Sequence, residues 1–297
     1  MKKIIINTIR EIWKIRFLEN ILVKITTNKI YGTSITKTPP NHYQYKTGSI
    51  RQTQKDGINY ELDISDIMDW YIYFGFREPA RLKLYDLISE GDIVFDVGAN
   101  IGDTTLHFAK IIGDNAKVHS FEPDPINHNS IQKNISLNNF KNIILNKIGL
   151  GNVKGSFKIH TLDQKNKGMN RIVSDSEDVK NSREIQVTTI NEYVKENNIQ
   201  KLDLIKIDVE GYEFNVLKGS VEVLNRFHPK LFIELDDENL KAQGSSAKKL
   251  VMFLLDIGYD IFQAETDEKI TSEIDFSHCH YDIVAKDTFV KEKNTNS

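Results

Sequence analysis

The sequence has very little cysteine and no excess of basic charge. Its 297 residues contain a single cysteine, Cys279, so an intrachain disulfide and a cysteine-based zinc cluster are both excluded. Lysine and arginine total 39 against 42 acidic residues, and the net charge of −3 lacks the basic excess typical of nucleic-acid-binding proteins. With 39% hydrophobic and 27% charged residues, the composition predicts a globular, cytoplasmic protein without a nucleic-acid partner.

The first 25 residues lack both an uninterrupted apolar run and a small-residue cleavage site. The segment therefore fits neither a signal peptide nor a bilayer-spanning helix, because charges interrupt it at Arg10, Glu11, Lys14, Arg16 and Glu19. Apolar residues recur at helical spacing, namely Ile6, Ile9, Trp13, Phe17 and Ile21. We expect a helix whose apolar face packs on its own domain or on a second subunit. Six basic against two acidic residues through Lys24 leave an alternative, a helix peripheral to the anionic inner membrane face.

From residue 91 onward, short apolar runs alternate with helix-length segments, which predicts βαβ units and a parallel sheet. The predicted strands are 92–98, 117–123, 142–148, 202–208, 230–236, 259–265 and 281–287. The predicted helices are 103–112, 125–138, 190–197, 213–224 and 245–257. The span 150–190 interrupts the alternation, so we expect a hairpin-like excursion there. The predicted domains are an N-terminal helical and irregular extension (1–60), a main α/β domain (61–288) and a disordered tail (289–297).

The stretch FDVGANIGDTT, residues 95–105, lies where the first strand of this series ends. Parallel sheets bind ligands at the carboxyl ends of their strands, where the strand order reverses. The loop is not a P-loop, because Asp103 follows Gly102 where a lysine is required. It is not a dinucleotide loop, because Asn100 replaces the glycine that lets a pyrophosphate approach. Asp96 adds negative charge, which suits the cationic methionine end of S-adenosylmethionine.

Glu122 ends the second predicted strand. An acid at this place accepts the ribose hydroxyls of either NAD or S-adenosylmethionine. Glu122 thus indicates an adenosine, and Asn100 in the loop favours S-adenosylmethionine. An NAD-dependent oxidoreductase is the disfavoured alternative for the protein, and a plain strand-to-helix turn is the simpler alternative for the loop.

Three further acids, Asp208, Glu210 and Glu213, crowd together after the predicted strand that ends at residue 208. Carboxylates this close repel one another, so we expect a cationic partner, with Lys206 and Lys218 nearby. A simpler interpretation is that Asp208 caps the following helix, with Glu213 in its first turn.

Four segments, in this order, resemble the FkbM-type S-adenosylmethionine-dependent methyltransferases over roughly residues 60–286: FDVGANIGDTT, FEPDP, IKIDVEGYEFNVLKG and HPKLFIELDDEN. The resemblance implies a Rossmann-like class I methyltransferase fold, an α/β structure with a mostly parallel seven-stranded sheet and an antiparallel last strand. It also implies an O-methyltransferase acting on a hydroxyl of a sugar, glycan or glycolipid-type acceptor. A nucleic acid or another small molecule is the alternative acceptor.

The resemblance also assigns site residues. The cofactor loop corresponds to Asp96, Gly98, Ala99, Asn100 and Gly102. Glu122 matches the acid that binds the ribose, and Asp208 matches a position that faces both cofactor and acceptor. The catalytic candidates, in this order, are Asp208, Glu210 and Glu234. One of them would take the proton of the acceptor hydroxyl, or all would only hold hydroxyls.

One departure from the family is Asn191, where an aspartate is usual. An asparagine keeps the capping chemistry of an aspartate but loses its charge, and we interpret this position as structural. A Mg²⁺ site is compatible with the acids near the sheet edge but is not favoured, because solvated loop acids are commoner. The acids in question are Asp208, Glu234, Asp236 and Asp237.

The aromatic segment 69–76 is predicted to pack in the core or as a lid. As a hypothesis, this segment or Glu78 closes over the cofactor or contacts a sugar. His278 and His280 are interpreted as structural, because they adjoin a predicted edge strand and form no ligand pair at helical spacing.

Overall fold

The computed structural model of the chain describes residues 10–163, 166–173 and 182–287. Ile6, Ile9 and the expected tail lie outside these residues. The helices are α1 (Arg16–Thr26), α2 (Ile67–Phe74), α3 (Pro79–Tyr85), α4 (Asp103–Ile112), α5 (Pro125–Ser136), α6 (Ile190–Glu196), α7 (Glu213–Lys218), α8 (Val221–Phe227), α9 (Asp237–Ala242) and α10 (Ala247–Asp256).

The strands of the N-terminal part are β1 (Lys29–Ile30), β2 (Ile50–Lys55), β3 (Ile58–Asp63) and β4 (Phe76–Arg77). Those of the middle part are β5 (Val94–Val97), β6 (Val118–Phe121), β7 (Ile143–Asn146), β8 (Gly149–Leu150), β9 (Gly155–Asp163), β10 (Asn166–Val173) and β11 (Arg183–Thr188). The last are β12 (Leu204–Ile207), β13 (Lys230–Asp236), β14 (Tyr259–Gln263), β15 (Lys269–Ile270) and β16 (His280–Asp287).

The central sheet has the strand order β15-β14-β16-β13-β12-β5-β6-β7. From β13 through β12, β5 and β6 to β7, every pairing is parallel. β16 lies antiparallel between β13 and β14. The expected mostly parallel sheet with an antiparallel last strand is therefore confirmed. The expected count of seven strands is wrong, because the two-residue strand β15 adds an eighth at the edge, and two residues are too few for a periodic signal.

The middle strands of this sheet are buried on both faces. Every residue of β5, β6 and β12 is buried. This explains why these strands stand out in the sequence as short apolar runs. Short polar side chains then start the helices: Asp124 Oδ1 accepts from Ile126 N at 2.8 Å at the start of α5, and Thr189 accepts from Glu192 N at the start of α6.

The single helix predicted over 213–224 is wrong, because the chain breaks it into α7 and α8. A Cβ at Gly219, between them, would lie 1.9 Å from the carbonyl oxygen of Gly151. A distant segment of the chain thus presses against the backbone at this point. Asn191 Oδ1 accepts from Val223 N at 3.2 Å, in the first turn of α8, so this side chain fixes the start of the second helix.

Strands β10, β9, β11 and β8 form a second sheet in that order, which we call the side sheet. It is the hairpin-like excursion expected within 150–190, although β10 was not predicted. Asn127 Nδ2, on α5, donates to the carbonyl of Lys167 at 3.0 Å, and Lys167 N donates to Asp66 Oδ2 at 2.8 Å. Arg183 Nε donates to Asp124 Oδ2 at 2.5 Å. These bonds hold the side sheet against the carboxyl edge of the central sheet.

The N-terminal part packs closely on the α/β core. Tyr60 OH donates to Asp103 Oδ1 at 2.8 Å, and Glu61 N donates to Asn134 Oδ1 at 2.9 Å. These bonds join the β2–β3 hairpin to α4 and α5. The domain boundary expected at residue 60 falls inside β3. The domain limits themselves stay a prediction.

Helix α1 packs on its own domain, but not through the predicted face. Its buried residues include Leu22 and Thr26, whereas Phe17 and Ile21 are exposed. The continuous helix expected through Trp13 is also wrong, since turns occupy residues 13–14 before α1 begins.

Candidate active site

A cavity of about 840 Å³ lies at the carboxyl edge of the central sheet. Its volume is typical of small-molecule sites. Of the residues that the sequence predicted, those lining it are Gly98, Asn100, Glu122, Asp208, Glu210 and Glu234. The other three are buried and do not line the cavity, Asp96 on β5 and Ala99 and Gly102 in the loop that follows. The structure thus gathers six of the nine predicted site residues around one space.

Close contacts of the backbone explain the first glycine of the loop. Gly98 has a φ of +83°, and a Cβ there would lie 1.9 Å from the carbonyl oxygen of Asp208. The N–H groups of Gly98 and Ala99 both donate to the carbonyl of Phe121 at 3.1 Å. The loop is therefore fixed to the ends of β12 and β6, and a side chain at position 98 has no room.

Asp96 is fully buried, and its carboxylate is bonded inside the protein. Thr105 Oγ1 donates to Asp96 Oδ2 at 2.6 Å, and Lys206 Nζ lies 3.5 Å from Asp96 Oδ1. Gly102, with a φ of +91°, turns the chain into α4 and so places Thr105 beneath the loop. These contacts of Asp96 help to hold the following loop in place.

Lys206 is the cationic partner that the sequence predicted for the crowded carboxylates after β12. Its buried Nζ lies 3.3 Å from Asp208 Oδ2 and donates to the carbonyl of Gly98 at 3.0 Å, as well as facing Asp96. Burial by itself lowers the pKa of Lys206, but the carboxylates of Asp208 and Asp96 outweigh burial and raise it. Lys206 therefore stays charged and ties the loop to β12. Lys218, the other candidate, lies over an aromatic ring of its own helix.

Glu122 lies just past the end of β6 and is held by two backbone N–H groups. Its Oε2 accepts from Asn100 N at 2.8 Å, and its Oε1 accepts from Asp124 N at 2.9 Å. Burial raises the pKa of Glu122 to about 8, although the two N–H groups oppose the shift. Since the side chain lines the cavity, its remaining lone pairs can accept from ligand hydroxyls.

Glu213 holds the turn that follows β12. Its Oε1 accepts from the N–H groups of Val209 and Gly211, both at 3.0 Å. A Cβ at Gly211 would lie 2.2 Å from the carbonyl oxygen of Asn239, so this turn also has no room for a side chain. Asp208 lies five residues before α7, too far to cap it, and its side chain is 45% exposed. The capping interpretation of Asp208 is wrong.

Several carboxyl groups face the opposite end of the cavity. Glu234 on β13 pairs in register with Asp282 on β16, and Glu234 Oε2 is buried without a hydrogen-bond partner among the described residues. Burial, together with Asp208, raises the pKa of Glu234 well above its usual value and that of Asp282 to about 7. Burial and Asp208 likewise raise the pKa of Glu210 to about 8, and Glu210 accepts from Asn239 Nδ2 at 3.1 Å.

Some cavity-lining residues were missed by the sequence prediction, among them Tyr31, Arg81, Asn166, Gly168, Asn170 and Asp282. Asp282 gave a weak signal, since it is a charged residue at the start of an apolar strand. The side-sheet residues gave none, because their place over the cavity depends on contacts with α5 and with the start of α2.

The aromatic segment 69–76 packs mainly in the core, around Trp70. Glu78 lines the cavity and lies 3.5 Å from Arg81. His280 also lines the cavity, with its Nδ1 2.8 Å from Asp236 Oδ2, so it belongs to the site rather than only to the strand.

The acids at the end of β13 and just after it accept hydrogen bonds from backbone N–H groups. Asp236 Oδ1 accepts from Asn239 N at 2.8 Å and caps α9, and Asp237 Oδ1 accepts from Ala247 N at 3.0 Å. Across residues 10–163, 166–173 and 182–287, no group of three or more His, Cys, Asp or Glu side chains is placed to hold a metal ion.

The sequence pattern of the methyltransferase FkbM domain matches residues 96–261. This chain belongs to the FkbM methyltransferase family. It is therefore a methyltransferase, and its central sheet has the class I methyltransferase arrangement expected from the resemblance.

Two relatives and one solved structure are similar to this chain. The hexuronic acid methyltransferase AglP of Haloferax volcanii is 28% identical over 185 residues, which are 60% of this chain and 73% of AglP. Methyltransferase 1 of Beauveria bassiana is 25% identical over 199 residues, 61% of this chain and 79% of that protein. Methyltransferase FkbM from Methylobacillus flagellatus aligns with 67% of this chain and 44% of its own, at 19% identity and a TM-score of 0.43.

Proposed function

We propose that this FkbM methyltransferase uses S-adenosylmethionine to methylate a hydroxyl of a sugar, glycan or glycolipid-type acceptor. The observation that carries the proposal is the placement of Glu122 and the Gly98–Asn100 loop on one side of a cavity whose other side holds Glu210, Glu234 and Asp282.

The residues of the cofactor side fit S-adenosylmethionine. Glu122 presents a carboxyl that suits the ribose hydroxyls. Asn100 Oδ1 is buried without a hydrogen-bond partner among the described residues, and its side chain lines the cavity. The tight contact at Gly98 fixes the loop against the backbone of Asp208, and Asn100 stands where a pyrophosphate site needs a glycine. When bound, S-adenosylmethionine supplies an activated methyl group.

The acceptor side suits a polyhydroxylated molecule. Hydroxyl groups donate to carboxylates, and acids at this end come from three different strands or turns. The relative AglP, by its name, methylates a hexuronic acid, which supports a sugar acceptor in the family.

Among the three catalytic candidates, Glu234 is our choice for the base. Asp208 is paired with Lys206, and Glu210 is bonded to Asn239, whereas Glu234 has one oxygen without a partner among the described residues. A base works best when its pKa lies near the working pH, and burial raises the pKa of Glu234 in that direction. Glu234 would take the hydroxyl proton while the neighbouring acids orient the sugar.

Titration calorimetry with S-adenosylhomocysteine tests the cofactor. We expect binding by the full chain and a loss of affinity of about tenfold or more in Glu122→Gln, because an amide in place of the carboxyl removes an accepting oxygen for the ribose hydroxyls. The exposed Glu268→Gln is the matched control and should bind like the wild type. Binding of NADH without any response to S-adenosylhomocysteine would contradict the proposal.

A methyl-transfer assay over a panel of neutral sugars, uronic acids, amino sugars and glycolipids tests the acceptor. We expect methylated product with a hydroxylated sugar or glycolipid. Transfer confined to RNA, or to a small molecule without a sugar, would overturn the acceptor class while leaving the cofactor assignment intact.

A further inference from the structure

Helix α1 presents an apolar stripe to solvent. Phe17, Ile21 and Ile25 recur every four residues, so they lie on one face of the helix. Their exposed fractions are 72%, 37% and 42%. Ile12 and Ile15, just before the helix, are exposed as well. Five large apolar residues exposed so close together in the chain are unusual for a surface that contacts only water.

The other face of α1 is fixed to the protein. Leu22 is fully buried, and Thr26 Oγ1 donates to the carbonyl of Phe74 at 2.8 Å. Glu19 is fully buried too and accepts from Arg51 Nε at 2.7 Å and from Tyr73 OH at 2.8 Å. Breaking this pair would leave a buried charge, so α1 is anchored in the orientation that exposes its stripe.

Basic residues surround the stripe. Between residues 10 and 31 the chain has five basic residues and two acidic ones. One of those acids, Glu19, is buried among cations and contributes little negative charge at the surface. Lys24 and Lys29 are exposed near the end of the helix, whereas Arg16, exposed at its start, is paired with Glu19 at 2.9 Å.

We propose that the stripe Phe17–Ile21–Ile25 and its flanking cations dock this protein on an anionic lipid bilayer. Apolar side chains at one helix face with lysine and arginine beside them match the boundary between acyl chains and anionic headgroups. A second protein would instead require an acidic, concave complement, and a second copy of this chain offers the same basic charge and not its complement. None of the helices in the described part of the chain is long and apolar enough to cross a membrane.

The docked surface leads to the active-site cavity. β1 follows α1 directly and pairs with β4, and Tyr31 N donates to the carbonyl of Arg77 at 3.1 Å. Tyr31 and Arg77 both line the cavity, while the neighbouring Ile30 is exposed. The chain thus continues from the docked helix through β1 directly into one wall of the cavity.

Flotation of the full chain with vesicles tests this inference without any cofactor or acceptor, so it is independent of the proposed function. We expect binding to mixed phosphatidylcholine–phosphatidylglycerol vesicles that weakens with added salt, and little binding to pure phosphatidylcholine. The triple variant Phe17→Ser, Ile21→Gln, Ile25→Gln should lose about tenfold or more in affinity. Lys24→Glu with Lys29→Glu should lose a similar factor on the anionic vesicles.

The matched control replaces exposed apolar residues elsewhere, Ile126, Val153 and Ile274, with glutamine and should bind vesicles like the wild type. Circular dichroism melting should show both triple variants folded, because every changed side chain is exposed. Equal vesicle binding by the wild type and the α1 variant would overturn the proposal. So would a dimer in light scattering that the α1 variant dissociates, with no binding to vesicles.

Discussion

The two ends of the active-site cavity hold their carboxyl groups in different ways. At the cofactor end, Glu122 is held by two backbone N–H groups, and Asp96 accepts from Thr105 with one oxygen and faces the cation of Lys206 at 3.5 Å with the other, which has no hydrogen-bond partner among the described residues. At the acceptor end, Glu234 has a buried oxygen without a partner among the described residues, and Asp282 faces it across two antiparallel strands.

This difference separates two uses of a carboxyl group. A carboxyl group with fixed hydrogen-bond partners holds its loop in one conformation. This suits a ligand that is the same in every turnover. Burial raises the pKa of acids at both ends, but Glu122 is held by two backbone N–H groups, whereas Glu234 has an oxygen without a hydrogen-bond partner among the described residues and is crowded by other acids. Glu234 is therefore the better placed of the two to exchange a proton with a ligand. The comparison predicts that changes at the cofactor end alter binding, whereas changes at the acceptor end alter rate and pH dependence.

The largest effect should come from Gly98→Ala. The new Cβ would lie 1.9 Å from the carbonyl of Asp208, and the loop would have to leave the end of β12. We expect calorimetry to detect no binding of S-adenosylhomocysteine. Gly91→Ala is the matched control, since Gly91 also has a positive φ, +88°, but open space around its Cβ. It should cost about 1–2 kcal/mol of stability through backbone strain and leave binding unchanged. Equal losses of binding in both variants would show that strain alone matters.

Glu234→Gln should separate rate from binding. On the proposed mechanism the variant keeps its affinity for S-adenosylhomocysteine and loses about 10²–10⁴-fold in kcat, because no base takes the hydroxyl proton. In the wild type the base must be unprotonated, so kcat should rise with pH through the raised pKa of Glu234, and this rise should disappear in the variant. Glu122→Gln should do the reverse and weaken binding more than rate. A Glu234→Gln enzyme with an unchanged pH profile would move the base to Asp208 or Glu210.

Lys206→Met tests how far the cofactor end depends on this buried cation. Lys206 faces Asp96 and Asp208 at 3.5 and 3.3 Å, and its removal leaves a buried carboxylate uncompensated. We expect a loss of about 3–5 kcal/mol in the free energy of unfolding by denaturant. Lys201→Met is the matched control, because Lys201 also faces two aspartates, at 3.5 and 3.0 Å, but on the surface. It should cost at most about 1 kcal/mol. Similar losses of unfolding free energy in both variants would show that the buried ion pairs of Lys206 stabilise the fold no more than the surface ion pairs of Lys201.

Glu210→Gln should change how stability depends on pH. The pKa of Glu210 is raised from 4.5 to about 8, so between these values the folded state keeps a proton that the unfolded state releases. This contribution to stability is full below the unfolded pKa and is lost as pH rises through the folded one. The variant should flatten the fall in unfolding free energy over that window, by at most about 1.4 kcal/mol per pH unit. A slope equal to that of the wild type, or the same flattening in Glu268→Gln, would contradict this reading.

The sequence predicted the strands well where burial on both faces made them apolar, as in Phe95 or Ile205, and it located α4 and α5 in the segments between those strands. It failed where a distant contact decided the outcome. The break at Gly219 depends on the carbonyl of Gly151, a contact that a local pattern does not contain. The helix α9 was missed for a different reason, because its six residues are too few for a periodic signal, although its cap Asp236 is local.

For the candidate site, the order of the motifs along parallel strands sufficed to bring Gly98, Glu122 and Asp208 to one edge. It could not show that Asp96 is buried against Thr105, because strand register and loop depth are three-dimensional. Nor could it find Asp282, which enters the site only because β16 inserts antiparallel beside Glu234.

The smallest effect should come from Asn191→Asp, which restores the family's usual residue away from the cavity. Asn191 Oδ1 already accepts from Val223 N in the first turn of α8, and a carboxylate there would keep that bond and add charge near a helix N-terminus. We expect a gain of about 0.3–1 kcal/mol in unfolding free energy and no change in kcat or cofactor affinity. Because this variant adds a carboxylate outside the cavity, it serves as a comparison for the variants that remove carboxylates inside the cavity. A change in kcat would mean that this position acts on the site, and that the departure from the family is functional rather than structural.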